Sequence, residues 1–415
     1  MKLSEELKYR NLLYQTTIKD LKDLDTKKFT FYLGVDPSAD SMTIGNLASL
    51  MLAKTLIKHG HKPVLLVGGA TGLIGDPDGK KQQRDLIPLD QLKKNKNAIA
   101  MQFKHILRGE KFALVDNYDW FKNMHYMNFL RHIGTKVPLR TMLSRDFVQA
   151  RLGDDGEGIT YAEFSYSLIQ GYDFYHLNEN HGVNLQISGA DQWGNSIAGV
   201  DITRRVNGNE VHVLSIPLIV NKTTGVKFGK SEAGAVWLSK EKTSATMFYQ
   251  FWINLPDVDV LDLIKIYTTL EKDEIDKVIQ EHLANTKERI VQKKLAYEVT
   301  ALVHSEREAT LAKEITEILT GQKPLDTINR SLLSVLSEEI PTVKYSKNKN
   351  LVDILVESKL ASSNTEARQL IKGNAVSING AKVVDESIDF KTLESKYLLI
   401  RKGKAFRDSA LVLVG

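Results

Sequence analysis

Phe29-Thr30-Phe31-Tyr32-Leu33-Gly34-Val35 is a short apolar run that breaks at Asp36-Pro37-Ser38. A helical pattern over Gly45-His59 follows, and then a second apolar run, Pro63-Val64-Leu65-Leu66-Val67-Gly68-Gly69. Two nearly continuous apolar runs on either side of a helix read as strand, crossover helix and parallel strand, because a strand buried on both faces has no polar alternation. The pattern continues with a helix over Leu89–Arg108 and a strand at Phe112–Val115. Strands are also expected at Asn184–Ser188 and Val211–Ile219, around a helix over Asp191–Arg205. The expected class is therefore α/β, a parallel sheet with helices on both faces.

Beyond residue 240 the strand signal stops. Met247–Ile253, Leu261–Leu270, Asp273–Ala284 and Lys287–His304 carry apolar residues at helical spacing. The reading gives four stretches: a sheet domain at 1–240, a helical domain at 241–323, a linker at 324–350 rich in Ser, Lys and Asn, and a small α+β domain at 351–415. In the last, helices are expected over Leu351–Leu360 and Asn364–Lys372. Asn379-Gly380 between Ala375–Ile378 and Lys382–Val384 marks a hairpin.

At 415 residues, 42% hydrophobic and 26% charged, the chain has the makeup of a multidomain globular protein. No apolar run is long enough to span a bilayer, and Met1-Lys2-Leu3-Ser4-Glu5-Glu6 lacks a signal-peptide core, so a cytoplasmic, non-membrane protein is expected. With no cysteine, thiolate catalysis and disulfides are excluded, and the ten histidines show no metal-ligand spacing. Residues 341–415 hold 13 Lys and Arg against 8 Asp and Glu, so the whole net charge of +5 sits in the tail. A basic terminal module on a neutral body suits a polyanionic partner, although a solvated basic surface would read the same way.

Four clusters carry candidate chemistry. Tyr32 to Ser38, running into Ser41 to Leu47 and so through Thr43-Ile44-Gly45-Asn46, ends a strand, turns and opens a helix whose Gly45 leaves the positive helix end accessible to a nucleotide, an ordinary strand-to-helix turn punctuated by Asp36-Pro37 being the alternative. Gly68-Gly69-Ala70-Thr71-Gly72-Leu73-Ile74-Gly75-Asp76-Pro77-Asp78-Gly79-Lys80 puts five glycines in twelve residues directly after a buried strand. No Gly-Lys-Ser/Thr of a P-loop is present, but Lys80 and Arg84 are placed to meet phosphates, a flexible surface loop being the alternative. Tyr166, Gln170 and Asp173 stand at i, i+4 and i+7 on one helix face among apolar neighbours, as a polar pocket wall would, a solvated polar stripe being the alternative. Downstream lie Gln186 and then Asp191, at a strand end suited to a ribose hydroxyl. Lys227-Phe228-Gly229-Lys230-Ser231 is expected to be mobile and solvent-facing, with lysines for charge that develops in a transition state. A lysine-bearing surface turn gives the same bare pattern.

Taken in order, Thr43-Ile44-Gly45-Asn46 and Lys227-Phe228-Gly229-Lys230-Ser231 resemble the HIGH and KMSKS signatures of the class I aminoacyl-tRNA synthetases. With Tyr32 to Asp36, the Gly-Asp-Pro-x-Gly-Lys at 75–80, Tyr166-x3-Gln170-x2-Asp173 and Gly189-Ala190-Asp191-Gln192-Trp193-Gly194-Asn195, nearly the whole chain resembles the bacterial tyrosyl-tRNA synthetases. The tail, with Ala361 to Arg368 and Gly373 to Gly380, is similar to an RNA-binding domain shared with a ribosomal protein.

The resemblance implies a Rossmann-type catalytic domain, an anticodon-binding-type helical domain and an RNA-binding tail. It implies ATP, with Mg²⁺ as part of the substrate complex, and no tightly bound cofactor or protein-held metal. Tyrosine would attack the α-phosphate to give tyrosyl-adenylate, and the terminal ribose of tRNA(Tyr) would then take the tyrosyl group, in a homodimeric enzyme. By the same resemblance Tyr32 and Asp173 hold the phenol, and Asp76, Tyr166 and Gln170 the ammonium. Asp36, Gln186 and Gln192 complete the tyrosine pocket, while Gly45, Asn46 and Asp191 bind the adenosine. Lys80, Arg84, Lys227, Lys230 and Ser231, with Ser38 and Thr43, serve the phosphates. Lys372, Lys382, Arg401, Lys402, Lys404 and Arg407 are the expected tRNA-phosphate contacts.

The chain departs from the family pattern at both histidines of HIGH, here Thr43 and Asn46, and at Leu33, where a small polar residue is usual. An amide at Asn46 still donates a hydrogen bond; Thr43 gives up the imidazole. Two alternatives follow. A tryptophanyl enzyme shares the core but would not want both Tyr32 and Asp173 at its pocket floor. A catalytically impaired paralogue that binds RNA or regulates is the other.

Overall fold

The structure is a computed structural model. It describes residues 1–77, 86–153, 158–222, 225–226, 228–231, 234–325, 328–346, 349–386, 396–403 and 408–414, the side chains of 146, 147, 230 and 231 excepted. Two compact units emerge: residues 1–242 with 256–291, and residues 243–255 with 292–415.

The first unit is built on a six-stranded sheet of β1 (Gln15–Thr16), β2 (Thr30–Val35), β3 (Lys62–Val67), β4 (Ala113–Asp116), β5 (Leu185–Gly189) and β6 (His212–Ile216), in the order β1-β6-β5-β2-β3-β4. All neighbours pair in parallel except the short edge strand β1. The apolar runs that predicted β2 and β3 lie at its centre, where Phe31, Tyr32, Leu65 and Leu66 are buried. Helix Ile44–Lys58 links β2 to β3, and helix Leu89–Ile106 precedes β4. Helix Tyr161–His181 starts in a capping box in which Thr160 and Glu163 exchange hydrogen bonds, and it ends at the left-handed Gly182.

The helical stretch divides differently from the expected boundary at 241. Helices Asp257–Tyr267 and Lys272–Ala284 belong to the first unit, where buried Arg10 donates to the carbonyls of Lys265, Thr268 and Leu270 at 2.6–2.9 Å. An arginine that satisfies three carbonyls at and just past a helix end holds that end firmly, and composition alone does not show which helix it will choose.

In the second unit a sheet runs β11-β10-β12-β13-β9, from β9 (Thr342–Lys344), β10 (Val376–Ile378), β11 (Ala381–Lys382), β12 (Tyr397–Lys402) and β13 (Ser409–Leu413). The stretch 324–350, expected as a linker, instead contains helix Arg330–Glu339 and strand β9, which pairs in parallel with β13. Leu398, Ile400 and Val412 pack with helices Leu351–Glu357 and Asn364–Lys372, while Leu399 and Leu411 pack with helices Glu306–Leu319 and Arg330–Glu339. Period-two alternation thus sends successive apolar side chains into two different cores. The predicted hairpin forms at Asn379-Gly380, with Ile378 paired to Ala381. Strands β7 (Lys230–Ser231) and β8 (Gly234–Ala235) form a small separate ribbon in the first unit.

Candidate active site

At the carboxyl ends of β2, β3 and β5 lies a cavity of about 300 Å³. This is the end of an open parallel sheet where ligands bind. Tyr32, Asp36, Ser38, Thr43, Gly45, Asn46, Asp76, Tyr166, Gln170, Asp173, Gln186, Asp191 and Gln192 all line it, so the residues singled out along 160 positions of sequence converge on one space.

The deep end is set by Tyr32 and Asp173, each 2% exposed. Asp173 accepts hydrogen bonds from Asn117 Nδ2 (3.0 Å) and Trp120 Nε1 (2.9 Å). Burial pushes its carboxyl up to about 8, a rise that these two donors moderate and the charges of Asp36 and Asp116 reinforce. The phenol of Tyr32 is pushed well up by burial and by Asp173, so it remains a neutral donor. Its hydroxyl is buried and has no hydrogen-bond partner among the described residues.

On the opposite wall the Tyr166 hydroxyl donates to Asp36 Oδ2 at 2.7 Å, and Thr71 Oγ1 donates to Asp36 Oδ1 at 2.6 Å. With its proton committed to Asp36, the Tyr166 oxygen presents lone pairs to the cavity, and burial beside Asp36 and Asp76 keeps it from ionising. Asp36 is therefore a buttress behind Tyr166. Gln192 Nε2 donates to Asp76 Oδ2 at 2.6 Å and Gln192 Oε1 accepts from Asn195. Two carboxylates and the oxygens of Tyr166 and Gln170 make this wall an acceptor for a cation. Gly68 is required here, since a Cβ on it would sit 2.1 Å from Asp36 Oδ1 and 2.2 Å from Thr71 Oγ1.

At the helix start, Asn46 Oδ1 accepts from the Thr43 backbone N–H (2.9 Å) and from Thr43 Oγ1 (3.0 Å), which leaves the Asn46 amide N–H groups as the donor face. Thr43 is thus a partner of Asn46. The Phe228-Gly229 pair differs from the expected solvent-facing loop, since both residues are buried. Lys80, Arg84 and Lys227 lie outside the described residues, as do the side chains of Lys230 and Ser231.

Three residues that hold this site were missed in the sequence: Thr71, Asn117 and Trp120. Asn117 is fully buried and joins three parts, donating to Asp173 and Thr71 and accepting from the Ala70 N–H. Its one legible signal is its place directly after β4, at the ligand end of the sheet.

In the second unit, three of the expected phosphate contacts make internal bonds, two of them on partly buried residues. Arg401 donates to the Leu319 carbonyl, and Lys402 to the Leu360 carbonyl (3.0 Å) and Glu366 (3.3 Å). Lys372 and Lys382 are exposed, the latter also donating to the Asn374 carbonyl, and Lys404 and Arg407 lie outside the described residues.

Residues 24–320 match the family tRNA synthetases class I (W and Y), and residues 333–406 match the tyrosine–tRNA ligase SYY-like C-terminal domain. The chain belongs to the class I tRNA synthetases of the W and Y type. A tyrosine–tRNA ligase of Bacteroides thetaiotaomicron is 40% identical, with 97% of this chain and 98% of that protein covered. One of Cronobacter sakazakii is 42% identical, with 97% and 96% covered. Among solved structures, a C-terminally truncated mitochondrial tyrosyl-tRNA synthetase of Aspergillus nidulans is 28% identical, with a TM-score of 0.69 over 76% of this chain and 93% of that one. The function is accordingly tyrosine–tRNA ligation: ATP-dependent activation of tyrosine and its transfer to tRNA. Nothing in these relatives supports an impaired paralogue. Among the described residues no helix is long and apolar enough to cross a membrane.

Proposed function

We propose that the cavity is where tyrosine is activated, its phenol between Tyr32 and Asp173 and its ammonium among Asp76, Tyr166 and Gln170. The observation that carries this reading is that three of the buried polar atoms left without partners among the described residues, Tyr32 Oη, Gln170 Oε1 and Gln186 Oε1, belong to residues that line this one cavity. Unpaired buried polar atoms cost on the order of 1–3 kcal/mol each, so their gathering in one place is accounted for by a polar ligand that pairs them. Tyr32 Oη donates to the ligand's phenol oxygen, and Asp173 accepts the phenol proton. Gln186 and Gln192 complete the polar lining, with Asp36 acting through Tyr166.

The ATP half is proposed to use Gly45, Asn46 and Asp191 for adenosine. Ser38, Thr43, Lys80, Arg84, Lys227, Lys230 and Ser231 serve the phosphates, and Mg²⁺ enters with ATP as its substrate complex. The tyrosine carboxylate attacks the α-phosphorus, the bond to the β-phosphate oxygen breaks, and pyrophosphate leaves. The terminal ribose hydroxyl of tRNA(Tyr) then attacks the carbonyl carbon and AMP leaves. No covalent enzyme intermediate is needed, so positioning and fixed charge supply the rate. The same reading takes the protein as a cytoplasmic homodimer with a helical anticodon-binding part ahead of the tail, and a tail at 351–415 that grips tRNA through Lys372, Lys382, Lys404 and Arg407. Arg401 and Lys402 support that tail from within.

Pyrophosphate exchange into ATP, screened over the twenty amino acids, is expected to depend on tyrosine alone. Lys230→Ala should cut exchange while tyrosine still binds. Exchange with another amino acid, or undiminished exchange in Lys230→Ala, would overturn the reading.

A further inference from the structure

Helix Asp257–Tyr267 ends in a tyrosine that joins the two signature segments. Tyr267 is fully buried, and its hydroxyl donates to the Ile44 carbonyl at 3.0 Å. Its ring lies against that of Phe228, with centroids 6.1 Å apart. The two contacts fall on the two stretches read as HIGH-like and KMSKS-like, which are nearly 190 residues apart in the chain.

Those stretches are also linked through the segment Val236 to Leu238. The Ile44 N–H donates to the Val236 carbonyl (3.1 Å), the Leu238 N–H to the Met42 carbonyl (2.9 Å), and Thr43 forms an isolated antiparallel bridge with Trp237. Val236 in turn donates to the Gly229 carbonyl at 2.8 Å. Gly229 has φ +92°, and a Cβ there would meet Ile44 Cγ1 at 2.7 Å, so the loop backbone lies directly on Ile44. Both backbone polar groups of Ile44 are thus held by other segments, one residue ahead of Gly45 and two ahead of Asn46.

We propose that Tyr267 is a positioning residue for the ATP half of the site: it holds Ile44 and Phe228 in one arrangement and so fixes where Gly45 and Asn46 meet the nucleotide. This rests on the reading of Gly45 and Asn46 as ATP-binding. Tyr267 does not line the cavity and touches no substrate. Its influence runs through a carbonyl one residue before the glycine that must let the nucleotide approach. The tyrosine half of the site, around Asp173 and Tyr166, is held by a different set of residues: Asn117, Trp120, Thr71 and Asp36. An effect of the hydroxyl should therefore divide between the substrates.

The test compares Tyr267→Phe, which removes one oxygen and keeps the ring, with Asn46→Ala and the double variant in tyrosine-dependent pyrophosphate exchange. Loss of one neutral hydrogen bond predicts a fall of about three- to tenfold in kcat/KM for ATP, with the KM for tyrosine unchanged. The double variant should lose less than the product of the single effects, because both act on one helix start. Gly229→Ala, which presses on Ile44 from the loop side, should likewise act on ATP and spare tyrosine. A Tyr267→Phe enzyme that melts earlier but keeps its kcat/KM for ATP overturns the proposal and makes Tyr267 a structural brace. If Asn46→Ala still impairs ATP in that case, the reading of the ATP half stands. If Asn46→Ala also leaves ATP use unchanged, the reading falls and takes the proposal with it. Equal losses for tyrosine and ATP in Tyr267→Phe overturn it as well.

Discussion

On the proposed reading of the cavity, Asp173 concentrates the chemistry of specificity in one carboxyl group. Burial raises it to about 8, so in the empty pocket it is protonated at neutral pH, whereas a bound phenol that donates to it favours the carboxylate. Tyrosine affinity should therefore tighten as pH rises from about 6.5 to 8.5, measured as the KM for tyrosine in pyrophosphate exchange. In Asp173→Asn that slope should vanish along with most activity. The stability of the free protein runs the other way. A carboxyl whose folded value is raised gives stability that is fully present below its unfolded value near 4 and is lost as pH climbs through about 8. Tyr32→Phe should cost tyrosine about 1 kcal/mol in kcat/KM while leaving phenylalanine, which has no hydroxyl to pair, almost unaffected. Activation assays with both amino acids check this.

The elements behind that residue decide how firmly it is held. Asn117→Ala removes the donor to Asp173 and Thr71 and the acceptor for the Ala70 N–H at once. The expected outcome is a loss of about 2–4 kcal/mol, seen in thermal unfolding together with a higher KM for tyrosine. Gly68→Ala should do comparable harm by driving Asp36 away from Thr71, checked by the same two measurements. Much of this scaffold was legible. The β2-helix-β3 order followed from apolar runs, and the pocket face followed from the spacing of Tyr166, Gln170 and Asp173. What stayed hidden was lateral. Asn117 and Trp120 reach Asp173 only because β4 pairs beside β3, Thr71 reaches Asp36 because β3 pairs beside β2, and strand order leaves no periodicity in a sequence. Tyr267 was hidden for a related reason: a tyrosine on an apolar helix face looks like core until the carbonyl it meets is known. Ile44 is more than two hundred residues away. The stretch Lys227 to Ser231 was read by motif alone, and its expected exposure failed at Phe228 and Gly229 because nothing local shows that Ile44 lies against Gly229.

For the whole molecule, the second unit's sheet changes what a truncation means. Cutting after residue 350 would strip Leu399 and Leu411 from helices Glu306–Leu319 and Arg330–Glu339, whose Ile315, Ile318, Leu332 and Leu336 they cover. Such a fragment should aggregate or bind a hydrophobic dye far more than the full chain does, measured by light scattering and dye fluorescence. Losing tRNA charging on truncation would then report damage to the helices as well as the absence of basic side chains. Reversing individual charges at exposed Lys372 and Lys382 is the cleaner probe of phosphate contact, with a shallower salt dependence of tRNA binding as the expected outcome.

Strand β13 lies between β12 and β9, yet it is the latest strand of that sheet to leave the ribosome. Until it emerges, β9 and β12 each lack a neighbour, and the open edges are the kind that pair with other chains. The second unit can therefore finish folding only once translation has passed Leu413. A chain cut between Lys402 and Ser409 keeps every strand of the first unit's sheet but leaves β9 and β12 with open edges in the second, so that unit is the one exposed to pairing with other chains.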